Sequence, residues 1–243
     1  MKLDAKFYYS LVKKIFSSKS YRSIVRYEIS KQIYTSFQKC FISLFLTSVV
    51  FGSIIVAVVM SATKEYGLSN MNADIIVRLF AIEIAPLITV LLIMFKISLA
   101  SSIEFAQMRG NREFETMKML NIDTQEYLYI PLILSGIINV IFMSYFFSIM
   151  LVITAFLFSH IFFGINFAKF AYELSVSVQF YDVLTFFIKC AFIGIFIFSI
   201  PARSALETDS KKHGVGSIVS KVALKLLFII MFVEVVSLAT RLF

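Results

Sequence analysis

Three ionisable side chains of this sequence lie inside apolar runs long enough to cross a bilayer: Glu83, Lys189 and Glu234. On a helix, each would lie roughly 8 to 11 Å from the same membrane border. A charged side chain inside a membrane costs at least about 2.5 kcal/mol and usually faces a partner or a water-filled cavity. One base and two acids at one depth therefore predict a shared polar cluster that lines a cavity. The alternative is that each side chain snorkels separately toward the outer headgroups, which suits Lys189 better than the shorter glutamates.

Pro86 lies three residues after Glu83. Proline lacks a backbone N–H and crowds the preceding turn, so it predicts a bent or loosened helix beside the acid. In lipid, the carbonyl that it leaves without a donor needs protein or water nearby, which again favours a cavity wall. The alternative is an ordinary kinked span.

The elements that would position these groups are transmembrane helices. The chain is 59% hydrophobic and only 16% charged, whereas soluble domains carry about 25% charge. The uncharged run from Cys40 to Thr63 would rise roughly 36 Å as a helix, enough for a hydrocarbon core about 30 Å thick. The sequence predicts an all-α integral membrane protein: an N-terminal interfacial helix, five transmembrane helices and a cytoplasmic coupling helix between spans 2 and 3. The predicted spans are 40–63, 79–103, 127–159, 183–202 and 222–241.

The distribution of basic residues predicts the topology. Residues 1–39 contain nine Lys or Arg, and most of the others lie in loops that face the same side after an even number of crossings. The positive-inside rule places the N-terminus in the cytoplasm and, with five spans, the C-terminus outside. The formal charge of +8 is therefore a topology signal. Because the cations follow the membrane borders rather than one face with stacking aromatics, no nucleic-acid binding is predicted.

The N-terminal region divides into two parts. Residues 1–20 are predicted to be a basic cytoplasmic leader, because they lack the apolar block and cleavage site of a signal peptide. In residues 21–38, an apolar side chain recurs every four positions while the cations lie off that line. This pattern predicts a helix in the headgroup plane. The alternative is a frayed leader that happens to contain apolar residues.

Catalytic and metal-binding signatures are weak. His160 and His213 fall on opposite sides of the predicted membrane, and Cys40 and Cys190 form neither a disulfide framework nor a metal site. The stretch "HGVGSIVSK" lacks the Gly-Lys-Ser/Thr ending of a phosphate loop and a preceding strand. No Ser/His/Asp arrangement is apparent. The sequence therefore predicts no catalytic residue, no metal and no covalent chemistry in this chain.

The stretch "SSIEFAQMRGNREFETMKMLNID", residues 101–123, leaves the second span as a charged, Met-rich segment. Met adapts to irregular apolar grooves and the charges can set the register, so the segment predicts docking of a soluble partner. The alternative is a solvated turn between two spans.

The stretch "EIAPLITVLLIMFKISLASSIEFAQMRGNREFETMKMLNID" and the following "YLYIPLI" resemble MlaE-type permeases of MCE-associated bacterial phospholipid ABC transporters. They are similar to that family's E-x-x-P span, small-residue stretch, cytoplasmic coupling helix and proline-containing start of the next span. "HGVGSIVSKVALKLLFIIMFVEVV" resembles the family's acid-bearing final helix. The resemblance covers roughly residues 21–243, taken as one permease domain. Where the family has Arg-Glu-Leu-Gly-Pro, this chain has Ile82-Glu83-Ile84-Ala85-Pro86.

The resemblance implies a homodimeric permease of the bacterial inner membrane, with a periplasmic C-terminus, that moves phospholipid and supports outer-membrane lipid asymmetry. The implied partners are an ABC ATPase, which would hold ATP and Mg, and a periplasmic MCE-domain protein; a small STAS-like subunit is a further candidate. No cofactor is expected in this chain. Residues implied to couple to the ATPase are Glu104, Arg109, Arg112, Glu113, Glu115 and Met117. Residues implied to lie near the lipid cavity are Glu83, Lys189, Glu234, Leu79, Phe80, Leu87 and Val90.

Other functions stay open at this point. A cavity of this kind does not name its occupant, so the chain could be a permease for another apolar solute, such as a sterol or a toluene-like compound. It could also be a non-transporting membrane anchor for MCE proteins, in which the charges are purely structural. A membrane-embedded enzyme is disfavoured because no nucleophile and base are paired in the sequence.

Overall fold

The computed structural model of the protein describes residues 23–66, 76–207 and 210–242. Within these ranges the fold is helical, and no strand occurs in them. We number the helices α1 to α7 in chain order. Five are long: α1 (Ser23–Tyr66), α2 (four consecutive stretches from Ile76 to Gly110), α4 (Ile130–Phe163), α6 (Phe180–Glu207) and α7 (Ser210–Leu242). Two are short: α3 (Glu113–Met119) and α5 (Phe167–Ser177).

Five segments of the described residues are long and apolar enough to cross a membrane. They overlap the five predicted spans, so the prediction of an all-helical integral membrane protein with five spans is confirmed. In lipid, a helix satisfies its backbone hydrogen bonds within one segment, which is why such apolar runs fold this way. The segments are Arg26–Ala62, Arg78–Gly110, Tyr127–Phe163, Phe180–Ser204 and Gly216–Thr240.

The first long helix differs from the prediction in its continuity. α1 has 44 residues, so it is roughly 66 Å long and exceeds the hydrocarbon core. The described part of the predicted interfacial helix 21–38, which begins at Ser23, and the predicted span 40–63 form one helix, because neither Gly nor Pro interrupts the junction between them. An orientation of its first half in the headgroup plane stays a prediction. The predicted leader 1–20 lies outside the described residues.

The second span changes helical type along its length. α2 begins with a π-helical stretch (Ile76–Ile84), continues as α-helix (Ala85–Ile93), has a second π-helical stretch (Met94–Ser98) and ends as α-helix (Leu99–Gly110). Pro86 lies in the first turn of the first α-helical stretch, where its missing N–H removes one backbone bond. The wide π turns are rare and occur often at functional sites. This change from π to α geometry lies directly before Pro86, and a bend of the helix there stays a prediction.

The bundle is organised around α4, which packs against α1, α2 and α6, while α6 also packs against α2 and α7. Small residues allow the closest approaches between helices. A Cβ added to Gly194 of α6 would lie 2.8 Å from the Cα of Ile137 in α4. A Cβ added to Gly52 of α1 would lie 2.1 Å from Oγ1 of Thr154 in α4. The positions of α1 and α6 therefore depend on glycine at these contacts.

Side-chain hydroxyls connect α2 to its neighbours. Ser148 of α4 donates to the carbonyl oxygen of Ala81 at 2.7 Å, and Ser98 of α2 donates to the carbonyl oxygen of Ile197 in α6. Interhelical hydrogen bonds in membranes contribute about 0.6 to 2 kcal/mol each. Because the two bonds lie on either side of Glu83 along the chain, they fix the depth of that residue relative to α4 and α6.

A short helix that the sequence interpretation did not include follows the third span. Gly164 ends α4 with a φ of 65°, a conformation that favours glycine. The side-chain oxygen of Asn166 then accepts a hydrogen bond from the N–H of Ala168 and caps α5. Gly followed by Asn is a recognisable stop and start signal, so this helix was detectable from the sequence.

Candidate functional site

The three ionisable side chains predicted to cluster lie together in the structure. Lys189 Nζ lies 2.7 Å from Oε2 of Glu83 and 2.8 Å from Oε2 of Glu234. The three residues come from α6, α2 and α7 respectively, and each is at most 6% exposed. The predicted convergence is therefore observed, and separate snorkelling of the three groups is not. We call Glu83, Lys189 and Glu234 the charge cluster.

Each helix presents its charge in a different local setting. Glu83 lies near the end of the first π-helical stretch of α2, just before Pro86. The ammonium group of Lys189 also lies 3.5 Å from the backbone oxygen of Glu83, so it contacts both the side chain and the main chain of that residue. Glu234 lies on α7, and its own carboxylate accepts a hydrogen bond from the same ammonium group. A single cation thus joins three spans.

Ser237 is a fourth member of the site that the sequence interpretation missed. Its hydroxyl lies 3.2 Å from Oε1 and 3.1 Å from Oε2 of Glu83, within donor distance of both. Ser237 lies three residues after Glu234 on α7, so the two side chains occupy the same face of that helix. This i, i+3 spacing was visible in the sequence. It means that α7 contacts Glu83 through a hydroxyl as well as through the shared lysine.

An apolar cleft of about 340 Å³ lies against the charge cluster, between α6 and α7. Lys189 and Ser237 belong to its lining, whereas Glu83 and Glu234 lie behind them. A cleft of this volume is at the lower end of the range for small-molecule sites. We call it the cluster cleft. Its lining residues are Tyr181, Thr185, Ile188, Lys189, Phe192, Phe232, Val233, Val236, Ser237 and Thr240.

A second apolar cleft, also of about 340 Å³, lies between α2, α4, α5 and α6. Asp182 is the acidic residue in its lining, and this carboxylate accepts a hydrogen bond from the N–H of Gln179 at 3.1 Å. That bond caps the start of α6, as an acid at the third helical position commonly does. The carboxylate of this cleft therefore has a role in helix capping.

The apolar residues predicted to touch acyl chains are scattered. Leu79 is exposed, and Phe80 and Leu87 are half-buried against the core. Val90 is fully buried in the core of the chain, so its expected contact with acyl chains stays a prediction. These four residues line neither of the two clefts. A helix exposes only part of its circumference, and the sequence spacing alone does not say which part.

The predicted coupling segment, residues 104–120, is divided by a turn. Glu104 and Arg109 lie on the last turns of α2, whereas Arg112 has a φ of 59° and precedes α3. Phe114 is the buried residue of α3, and it anchors this short helix against the bundle. The other predicted coupling residues lie on α3 with at least partial exposure: Glu113, Glu115 and Met117.

The end of α3 is fixed by its backbone. Asn121 has a φ of 57°, and its N–H bonds to the carbonyl oxygen of Lys118 at 3.1 Å. The N–H of Ile122 bonds to the carbonyl oxygen of Met117 at 2.9 Å, which completes a Schellman motif. This turn leaves Met119 85% exposed and Leu120 65% exposed. We call these two residues the apolar tip, which the sequence interpretation did not identify.

Metal ligands do not gather in the part of the chain that the structure describes. No group of three His, Cys, Asp or Glu residues in those ranges has a geometry that could hold a metal ion. His160 lies 2.9 Å from the carbonyl oxygen of Ile165, so its ring participates in the turn after α4. The arrangement of the site is instead that of a polar group set beside an apolar wall.

Comparison with known proteins identifies the family of the chain. The family model described as Permease MlaE matches residues 29–239, which is most of the sequence. A comparison with curated proteins gave no match. The matched range contains the whole charge cluster, α3, the second cleft and all of the cluster cleft except Thr240. Together with the five apolar spans, this match shows that the chain belongs to the MlaE permease family and is a transmembrane permease, the membrane subunit of a transporter rather than an enzyme.

Proposed function

We propose that this permease moves phospholipid between the bacterial inner membrane and a periplasmic MCE-domain protein. An ABC ATPase that binds the cytoplasmic side would supply the energy, with ATP and Mg held on that partner. Two copies of the chain would form the membrane unit, and a small STAS-like subunit is a further candidate partner. In this orientation the N-terminus is cytoplasmic, the C-terminus is periplasmic and the charge cluster lies toward the periplasmic side.

The charge cluster beside the cluster cleft is the observation that supports this proposal most strongly. A phospholipid needs an apolar wall for its acyl chains and a few polar groups for its headgroup. Phe192, Phe232 and Val236 provide apolar lining of the cleft, while Lys189 and Ser237 provide a cation and a hydroxyl at the same place. A buried ion pair contributes little net stability compared with apolar packing, so such a cluster favours a functional role.

The cytoplasmic end of α2 supports the ATPase part of the proposal. α3 is a short helix held at one buried side chain, Phe114, and it carries acidic residues in its first turn and the apolar tip at its other end. Met and Leu side chains suit insertion into a groove, and the charges would set the register. Movement of the ATPase would then reach Glu83 along the continuous α2 helix.

The test is ATP hydrolysis by the complex reconstituted in vesicles. Phospholipid should stimulate hydrolysis, and the complex with Lys189→Met should lose that stimulation while it retains basal hydrolysis by the ATPase. Vesicles that contain a sterol or a toluene-like solute distinguish the occupants. Stimulation by those solutes alone contradicts the phospholipid proposal, and the absence of any stimulation contradicts a transport role in favour of a membrane anchor.

A further inference from the structure

The charge cluster contains two carboxylates and one ammonium group, so it has a formal charge of −1 if all three groups are ionised. We propose that the charge cluster is a proton-binding site, in which Glu234 carries the proton. This inference goes beyond the proposed permease function, because it concerns the ionisation of the cluster rather than its cargo. It rests on the hydrogen-bond donors that each oxygen receives.

The three N–H donors of Lys189 are directed to oxygens other than Oε1 of Glu234. An ammonium group has three N–H donors. Two point to Oε2 of Glu83 at 2.7 Å and Oε2 of Glu234 at 2.8 Å, and the backbone oxygen of Glu83 lies 3.5 Å away on a third side. No donor of the lysine is left for the second carboxylate oxygen of Glu234.

The two glutamates differ in what stabilises their negative charge. Both oxygens of Glu83 have a donor, since Lys189 reaches Oε2 and Ser237 lies within 3.2 Å of both. For Glu234, Oε1 is buried and receives no hydrogen bond from any described residue. Hydrogen bonds to the charged form favour ionisation, so Glu83 is the better site for the remaining negative charge. The proton therefore belongs on Glu234.

Among the described residues, the groups around Glu234 supply no second positive charge. The titratable groups that face it within the described part of the chain are Lys189 and Cys190 of α6 and Glu83 of α2. Lys189 is thus the cation beside Glu234, and it also contacts Glu83, while Glu234 is only 6% exposed. An uncompensated charge in such surroundings costs several kcal/mol. Addition of H⁺ to Oε1 of Glu234 gives a neutral carboxylic acid and brings the cluster from −1 to zero.

A proton bound in this way would respond to the opening of the cluster cleft. Lys189 and Ser237, the two residues that hold Glu83, also line that cleft. Water or a charged headgroup that enters the cleft and pairs with Lys189 would change the charge balance around Glu234. Ligand entry and proton binding are therefore coupled at the same lysine.

Infrared spectroscopy of the full chain in micelles of a maltoside detergent, which has neither a phosphate nor an ester carbonyl, at neutral pH tests the proposal. The wild type should show the carbonyl stretching band of a protonated carboxyl group, and Glu234→Gln should lose it. Glu83→Gln should lose it as well, because Lys189 then neutralises Glu234 alone. Glu115→Gln is the matched control, since Glu115 is exposed on α3, and it should keep the band.

Three results would overturn the proton site: no such band in the wild type, a band that persists in Glu234→Gln, or a band that persists in Glu83→Gln. If one glutamine variant does not fold, the other still assigns the band, and absence of the band from the wild type overturns the proposal without any variant. Because neither ATPase nor transported lipid takes part in this measurement, its failure leaves the proposed permease function standing. Absence of lipid-stimulated hydrolysis in the wild-type reconstituted complex would contradict the permease function and leave the proton site standing.

Discussion

The two ends of α2 differ in how many contacts fix them to the rest of the bundle. At one end, Glu83 is buried and paired with residues of α6 and α7, so three helices must be in place for the charge cluster to form. At the other end, α3 has a single buried residue, Phe114, and presents an apolar tip to its surroundings. A substitution in the cluster should therefore lower the stability of the whole bundle. A substitution on α3 should alter partner binding and leave the bundle unchanged.

The largest expected effect comes from removing the shared cation. Lys189→Met keeps a side chain of similar length but leaves Glu83 and Glu234 buried without their common partner. Breaking a buried ion pair by removing one partner typically costs about 3–5 kcal/mol. The free energy of unfolding in detergent should fall by that amount. Lys221→Met, at an exposed position of α7, is the control, and an equal fall in both variants would contradict the structural role of the cluster.

A smaller loss of stability is expected when the close contact between α6, which carries Lys189, and α4 is disturbed. Gly194→Ala adds a Cβ that would lie 2.8 Å from the backbone of Ile137, so α6 must shift away from α4. Overpacking of this kind costs about 1–3 kcal/mol. Gly216→Ala adds the same atom on α7 where nothing lies within 4 Å, and it should be neutral or slightly stabilising. Thermal unfolding of the two variants measures the difference, and identical midpoints would show that α4 and α6 do not require glycine.

The charge cluster was predictable because its chemistry leaves few alternatives. Acids and a base in apolar runs at one depth must pair or be hydrated, and that rule holds whatever the rest of the sequence is. The five spans were predictable for a similar reason, since the length of an apolar run sets whether it crosses the membrane. Ser237 was missed because a serine on a membrane helix is common and commonly bonds its own backbone.

Exposure and helix boundaries were less predictable. Val90 is separated from Glu83 by about two turns, and whether it faces a cavity or the core depends on how α2 is rotated against its neighbours. The π-helical turns add to that uncertainty because they change the residues per turn. The junction near Cys40 was predicted to separate two helices, yet residues that favour helix on both sides let α1 continue. The contacts between helices, which a local pattern does not contain, decided these cases.

Substitutions on α3 are expected to have the smallest effect on the stability of the bundle and the clearest effect on binding of the ATPase. Glu113→Lys together with Glu115→Lys should abolish copurification of the ATPase, because it reverses the charge of the first turn of the proposed docking helix. Surface substitutions usually change stability by less than about 0.5 kcal/mol, so membrane insertion and the unfolding midpoint should stay as in the wild type. The corresponding glutamine pair is the control, since it removes the charges without placing cations at a helix N-terminus, and it should weaken binding less. If the ATPase copurifies unaltered with the double lysine variant, docking at α3 is contradicted. If that variant loses as much stability as Lys189→Met, the two ends of α2 do not differ in the way the structure indicates.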